Sequence, residues 1–216
     1  MLRVLITVGP TREPIDRVRF IGNRSSGEMG SLIAEAMASA GHEVTSLVGP
    51  VDRAVVARCS GAGRVYRFES SAELGQLLEA HFRDADVLVM AAAVADYRPV
   101  TVSEGKMARL SGQDQRMVVE LMPTPDLVAG VAGSKRAGQR VVAFALEEAG
   151  VLEARAGEKM RRKGVDAMVA NPLGTMESGG IRATWMTVGG EVERLERMPK
   201  SEFASWLAER VVRLFG

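Results

Sequence analysis

The sequence predicts an α/β fold: a Rossmann-like, mainly parallel sheet flanked by helices, with an antiparallel hairpin added late, all in a single domain over 1–216. Three observations predict it. Strand-length apolar runs alternate with helical patterns from the N-terminus onward. Two of these runs, within Asp86–Val94 and Arg140–Ala145, show no polar alternation, the pattern of strands buried on both faces of a parallel sheet. The rhythm breaks after residue 180, where 182–188 and 192–197 flank Gly189-Gly190, a hairpin signal.

Taken in order, the first strand falls near 2–8 and carries Val4-Leu5-Ile6-Thr7-Val8. A helix near 28–40 follows, stopped by Gly41, and Glu43–Val48 is the second strand. Apolar residues at helical spacing mark 71–82, with Ser71 as the expected N-cap. Asp86–Val94 is a buried central strand and 117–121 a short one. Pro125 to Ala132 is a helix with Pro in its first turn, after Thr124. Arg140–Ala145 is another buried strand, 152–162 a charged helix, 165–170 a strand, and 201–215 a closing amphipathic helix.

Composition bounds the function. Twenty-eight basic residues stand against 27 acidic ones, a net charge of +1, which gives no support for broad nucleic-acid binding. A lone Cys59 excludes an intrachain disulfide framework or a multi-cysteine metal site, and it reads as an inert thiol. His42 and His81 are too far apart for ligand-pair spacing. There is no 18-residue apolar run and no N-terminal signal pattern, so a soluble, cytoplasmic protein without membrane contact is expected.

Two loops exceed what a connector needs, 9–27 and roughly 95–116. Both follow strands, so both belong at the carboxyl edge of the sheet, where open α/β sheets bind ligands. The first ends in Asn23-Arg24-Ser25-Ser26-Gly27 at a helix start. Free N–H groups and the helix dipole there favour an anion, so a phosphate enters the hypothesis; the plain alternative is an ordinary cap. Asp96 directly follows the buried run 86–95, and an Asp at the carboxyl end of a central strand is a common site residue. Lys106 and Arg109 lie in the second loop, where a lone lysine is most often simply solvated. Lys159 and Lys163 share one helix face and could reach a polyphosphate, although a solvated face is the usual reading. Phe144 reads first as core and second as a base-stacking platform.

A nicotinamide oxidoreductase would suit the fold, but its marks are missing. No G-x-G-x-x-G follows the first strand. The second strand ends at Gly49-Pro50 rather than an acidic residue, and neither Tyr66 nor Tyr97 has a lysine four residues on. A non-catalytic nucleotide-binding subunit is a further alternative.

The segments Gly9–Asp16, Val18–Ile21, Asn23–Gly27 and Met29-Gly30, with Ala91–Pro99, Lys106, Pro123–Leu127, Val142–Glu147, Ala156–Asp166 and Ala170-Asn171, together resemble phosphopantothenate–cysteine ligase over nearly the whole chain. The resemblance implies joining of 4'-phosphopantothenate to L-cysteine through an acyl-nucleotidylate, with Mg²⁺ on the phosphates. It implies that Asn23 binds the acyl intermediate and that Lys106, on a mobile flap, neutralises phosphate charge. Arg24, Ser25, Ser26 and Gly27 would hold the substrate phosphate. Ala92, Ala93, Asp96, Lys106, Pro125, Asp126, Leu127, Val128, Phe144, Lys159 and Lys163 would line the nucleotide pocket, with Asp96 also reaching the metal. Many bacterial members are fused behind a flavin-containing decarboxylase. This chain begins at the ligase strand, which implies a stand-alone form or an excised domain, no flavin, and a separate decarboxylase acting next. A homodimer with the site near its interface is implied too. CTP is favoured over ATP, as in the fused bacterial members. Departures from the family pattern are Glu28 for a common Lys, Arg17 for Pro, the flap Gly105–Arg109 without a lysine cluster, and 145–148.

Overall fold

The computed structural model describes residues 1–108, 116–175 and 179–216. In chain order its elements begin with β1 (Arg3–Val8), β2 (Arg12–Pro14), β3 (Phe20–Gly22), α1 (Glu28–Ser39), β4 (Glu43–Val48), α2 (Arg53–Ala62), β5 (Arg64–Arg67) and α3 (Ser71–Phe82). There follow β6 (Val87–Met90), β7 (Tyr97–Pro99), β8 (Leu121–Pro123), α4 (Leu127–Gly133), β9 (Arg140–Glu147) and α5 (Leu152–Lys163). The chain closes with β10 (Ala167–Pro172), β11 (Gly180–Thr187), β12 (Val192–Pro199) and α6 (Lys200–Arg213).

Eight strands form one sheet in the order β12-β11-β10-β9-β6-β1-β4-β5. The pairs from β10 to β5 are parallel; β10–β11 and β11–β12 are antiparallel. This is the predicted α/β architecture with its late hairpin. The unalternating runs have the expected cause: successive side chains enter opposite, equally apolar layers. Val4, Ile6 and Val8 of β1 join Val87 and Val89 against Ile33, Met37, Phe203 and Leu207 of α1 and α6. Leu5, Leu88 and Met90 face Leu74, Leu78 and Met160 of α3 and α5 on the other side. Trp185, 1% exposed, anchors the hairpin to the first layer, edge-on to Trp206 of α6.

Several local expectations shift. The cap of α3 is Ser70, whose Oγ accepts from the Glu73 N–H at 3.3 Å. Ser71 is buried, and its own N–H donates to Glu13 Oε1 at 2.9 Å. The central strand ends at Met90, so Ala91–Val94 belongs to a loop. The short strand is β8 at 121–123 rather than 117–121. Helix α4 starts after Asp126, which caps it through the Ala129 N–H at 3.1 Å, so Pro125 lies outside the helix. Helix α2 and edge strand β5 had no sequence-based expectation. Only Val55 and Cys59 of α2 are buried, too few to make a periodic pattern.

Candidate active site

Strands β1 and β6 are parallel neighbours, so their long loops leave the sheet side by side at its carboxyl edge. The two loops are laced together. The Thr11 N–H donates to the Ala93 carbonyl at 3.1 Å, and the Ala93 N–H returns to the Gly9 carbonyl at 3.0 Å. Two buried threonines add hydroxyl acceptors: Thr7 Oγ1 takes the Ala92 N–H and Thr11 Oγ1 the Ala95 N–H, both at 3.0 Å. The Asn23 side-chain amide donates to the Val94 carbonyl at 2.9 Å. Asn23 is thereby fixed against the second loop although 71 residues separate them in sequence.

Gly27 occupies the N-cap of α1 with φ +76°, a left-handed conformation that side-chain-bearing residues rarely adopt. A Cβ at Gly30 would meet the Thr7 carbonyl oxygen and Val8 Cγ2, both at 3.1 Å, so a side chain there would crowd the close contact of α1 with β1. The Ser31 N–H is the first of α1 to reach a helical carbonyl, that of Gly27. Ser25 and Ser26 take the N–H groups of Gly27 and Glu28 at 3.3 Å each. Met29 and Gly30 are left with N–H groups that have no intrahelical partner, at the positive end of the dipole.

This helix start forms one wall of a cleft of about 810 Å³. The second wall is Met90–Asp96, the third Thr124–Val128 with Ala143–Leu146, and the fourth Lys159, Arg162 and Lys163 of α5. The cleft gathers Asn23, Arg24, Ser25, Ser26, Gly27, Ala92, Ala93, Asp96, Pro125, Asp126, Leu127, Val128, Phe144, Lys159 and Lys163. Lys106 is exposed and is not among the lining residues. Arg109, the end of the expected flap, lies outside the described residues.

Among the described lining residues, five cationic side chains face three carboxylates, in a chain of net charge +1. Lys163 Nζ holds Asp126 Oδ1 at 2.8 Å, and Lys159 Nζ holds the buried Glu147 at 2.5 Å. Burial raises the Asp126 carboxyl, but the Lys163 ammonium and the Ala129 N–H outweigh it, and the net direction is down. Glu28, the departure beside the expected phosphate site, is paired at 2.5 Å with Lys200 from the start of α6. Phe144 is half-buried: it packs on the core and also lines the cleft.

Sequence reasoning missed Arg162, Lys200 and Thr124 as site residues. Thr124 Oγ1 is buried without a hydrogen-bond partner among the described residues, at the cleft wall; a bound polar ligand would satisfy it. Its place before a Pro-Asp helix start was the available signal. Lys200 gave none, because only the fold brings α6 beside α1.

A family model described as the DNA/pantothenate metabolism flavoprotein C-terminal domain matches residues 1–214. The chain belongs to that family. It is 38% identical over 216 residues to a prokaryotic protein named cysteine/cysteine sulfinic acid decarboxylase, covering 98% of this chain and 58% of the relative. The Coenzyme A biosynthesis bifunctional protein CoaBC of Mycobacterium tuberculosis is 36% identical over 225 residues, covering 97% of this chain and 52% of the relative. The chain thus spans about half the length of these relatives. Among solved structures, the C-terminal domain of Coenzyme A biosynthesis bifunctional protein CoaBC superposes with a TM-score of 0.79 at 31% identity, covering 99% of this chain and 95% of that one. A structure of the DNA/pantothenate metabolism flavoprotein from Streptococcus pneumoniae, at 22% identity and TM-score 0.82, shares the fold.

Proposed function

We propose that this domain is a phosphopantothenate–cysteine ligase. The observation that carries the reading is one cleft joining an anion-ready helix start, Asn23 and a cationic helix face. The substrate carboxylate oxygen attacks the α-phosphorus of a nucleoside triphosphate, and the bond to pyrophosphate breaks. The amine of L-cysteine then attacks the acyl carbon, the nucleoside monophosphate leaves, and the amine proton passes to solvent. A free carboxylate is a poor acyl donor, and the mixed anhydride supplies the missing leaving group. The protein contributes position and fixed charge.

The N–H groups at the start of α1, with Arg24, Ser25, Ser26 and Gly27, hold the phosphate of 4'-phosphopantothenate. Asn23 Nδ2 is committed to Val94, which leaves its carbonyl oxygen to accept from the incoming amine. The other walls take the nucleotide: Thr124 and Asp126 meet polar atoms, Phe144 the base, and Lys159 and Lys163 the phosphates. Lys106 brings its charge to the phosphates from outside the cleft walls.

No three His, Cys, Asp or Glu side chains gather as a metal cage among the described residues. Asp96, a carboxylate on the cleft wall, would be the protein contact for a Mg²⁺ ion carried in on the triphosphate. Bound there it withdraws charge from the phosphates. No step requires a flavin. CTP is the favoured nucleotide by likeness to the fused bacterial members.

Two copies would associate through the small sheets. Val18, Phe20, Tyr97, Val118 and Leu121 are exposed on or beside β2–β3 and β7–β8, and β2 packs against β7, so these side chains offer apolar surface to a partner. Light scattering should report a dimer, and Val118→Asp should shift it toward monomer. The deciding assay is pyrophosphate release with CTP and with ATP. Release that needs 4'-phosphopantothenate, followed by product formation that needs L-cysteine, supports the proposal. Failure with both nucleotides overturns it.

A further inference from the structure

Asp16 has a buried carboxylate in a loop of the surface, and the chemistry above makes no use of it. Its side chain is 0% exposed. Oδ1 accepts the N–H groups of Val18 and Arg19, both at 2.8 Å, closing a tight turn. Oδ2 accepts Arg19 Nε at 3.0 Å and Nη2. Oδ2 also accepts the N–H of Met107 at 3.1 Å, from a segment 91 residues away. Arg19 completes the grip, because its Nη2 donates to the Met107 carbonyl at 3.0 Å. Both peptide groups of Met107 are therefore held by one ion pair. A third tie, from the Ser103 N–H to the Ile15 carbonyl at 3.0 Å, fixes the same segment upstream. Arg19 Nη1 lies 3.3 Å from Met117 Sδ, so the pair touches the chain again where it returns.

A turn needs only Oδ1. The second oxygen, sealed from water and shared between Arg19 and a distant backbone N–H, costs desolvation that a surface turn would not require. What the expense fixes is the backbone immediately after Lys106. The Arg19 hydrogen bond, aided by the three backbone N–H groups and opposed by burial, holds the Asp16 carboxyl well below the usual carboxylate range, so the clamp is charged throughout the neutral range. We infer that Asp16, acting with Arg19, is a positioning residue that sets where Lys106 stands relative to the cleft. The inference rests on the ligase reading for what Lys106 does, but the clamp itself is read from the hydrogen bonds.

Asp16→Asn tests it, because it keeps the oxygen that closes the turn. The asparagine Oδ1 still accepts from the backbone N–H groups of Val18 and Arg19, whereas Nδ2, a donor, now opposes both the Arg19 guanidinium and the Met107 N–H. Four proteins are compared: wild type, Asp16→Asn, Lys106→Gln and the double variant. Tryptic cleavage of the native protein at Lys106–Met107, followed by mass spectrometry, should quicken about tenfold or more in Asp16→Asn. Single-turnover pyrophosphate release should fall about tenfold or more, with KM for L-cysteine unchanged. The double variant should be no slower than Lys106→Gln alone, since both changes remove one device. Losses that multiply in the double variant overturn the inference, as do wild-type turnover or an unchanged cleavage rate in Asp16→Asn. A wild-type protein that releases no pyrophosphate shows, without any variant, that the ligase reading has failed, and the positioning role falls with it.

Discussion

Gly27→Ala separates two costs that usually arrive together. The first is conformational: at φ +76°, an alanine loses about 1–2 kcal/mol in the left-handed region. The second is steric. A Cβ there would lie 2.7 Å from Val51 Cγ1, with Val8 Cγ1 at 3.2 Å and Val55 Cγ1 at 3.3 Å behind it. Val8 and Val55 are buried, so the group cannot slide away, and overpacking of this kind costs about 1–3 kcal/mol. Gly41→Ala isolates the first cost, because Gly41 has φ +81° and nothing within 4 Å of its would-be Cβ. For a domain of this size, each kcal/mol shifts the melting temperature by about 2–4 °C. Gly41→Ala should therefore lose about 2–8 °C and Gly27→Ala about 4–20 °C by scanning calorimetry. Val51→Ala added to Gly27→Ala should recover part of the excess and leave the conformational part. Gly27→Ala should also depress pyrophosphate release, since it displaces the start of α1. Equal melting shifts for Gly27→Ala and Gly41→Ala would refute the steric half of this reasoning.

Other expected outcomes can be checked directly. Asn23→Asp should slow the cysteine-dependent half-reaction more than the first, so rapid quench should show the activated intermediate accumulating. Lys106→Gln should lower intermediate formation by about 10²–10³ with the melting temperature nearly unchanged, because the side chain is exposed. The Asp126–Lys163 pair contributes stability through a lowered carboxyl pKa. That contribution is complete above the ordinary Asp value of about 4 and is lost as pH falls through the folded value. The melting difference between wild type and Asp126→Asn should accordingly shrink below about pH 4.

The layered sheet was legible because burial on both faces writes continuous apolar runs, as in Val87–Val89 and Val141–Ala143. Strand ends and a helix start located Asn23–Gly27 and Asp96 at a carboxyl edge, whereas most other cleft residues were legible only through the family resemblance. The sequence left three things hidden. Strand β5 has no fully buried residue, and α2 has two, so neither leaves a period to read. The run Ala91–Val94 is apolar without being strand, because the Thr7 hydroxyl takes the Ala92 N–H and, among the described residues, only Ala93 bonds to the neighbouring loop backbone, at Gly9 and Thr11. The pairings Glu28–Lys200 and Asp16–Met107 join positions 172 and 91 residues apart, and no local pattern encodes such contacts.

The two edges of the large sheet limit how copies of the chain can meet. At one edge, β12 reads Val-Glu-Arg-Leu-Glu-Arg-Met-Pro; Arg182 and Glu196 pair across it at 3.1 Å, and Arg194 is tied to Glu153 at 2.5 Å. At the other, β5 is four residues long and bracketed by Arg64 and Arg67. The charges on β12 and the shortness of β5 each resist extension by a further strand. Association through the excursions around β2–β3 and β7–β8 would then couple partner binding to the same loops that carry Asn23 and the Asp16 clamp. Turnover per chain would then depend on protein concentration, falling on dilution once copies separate.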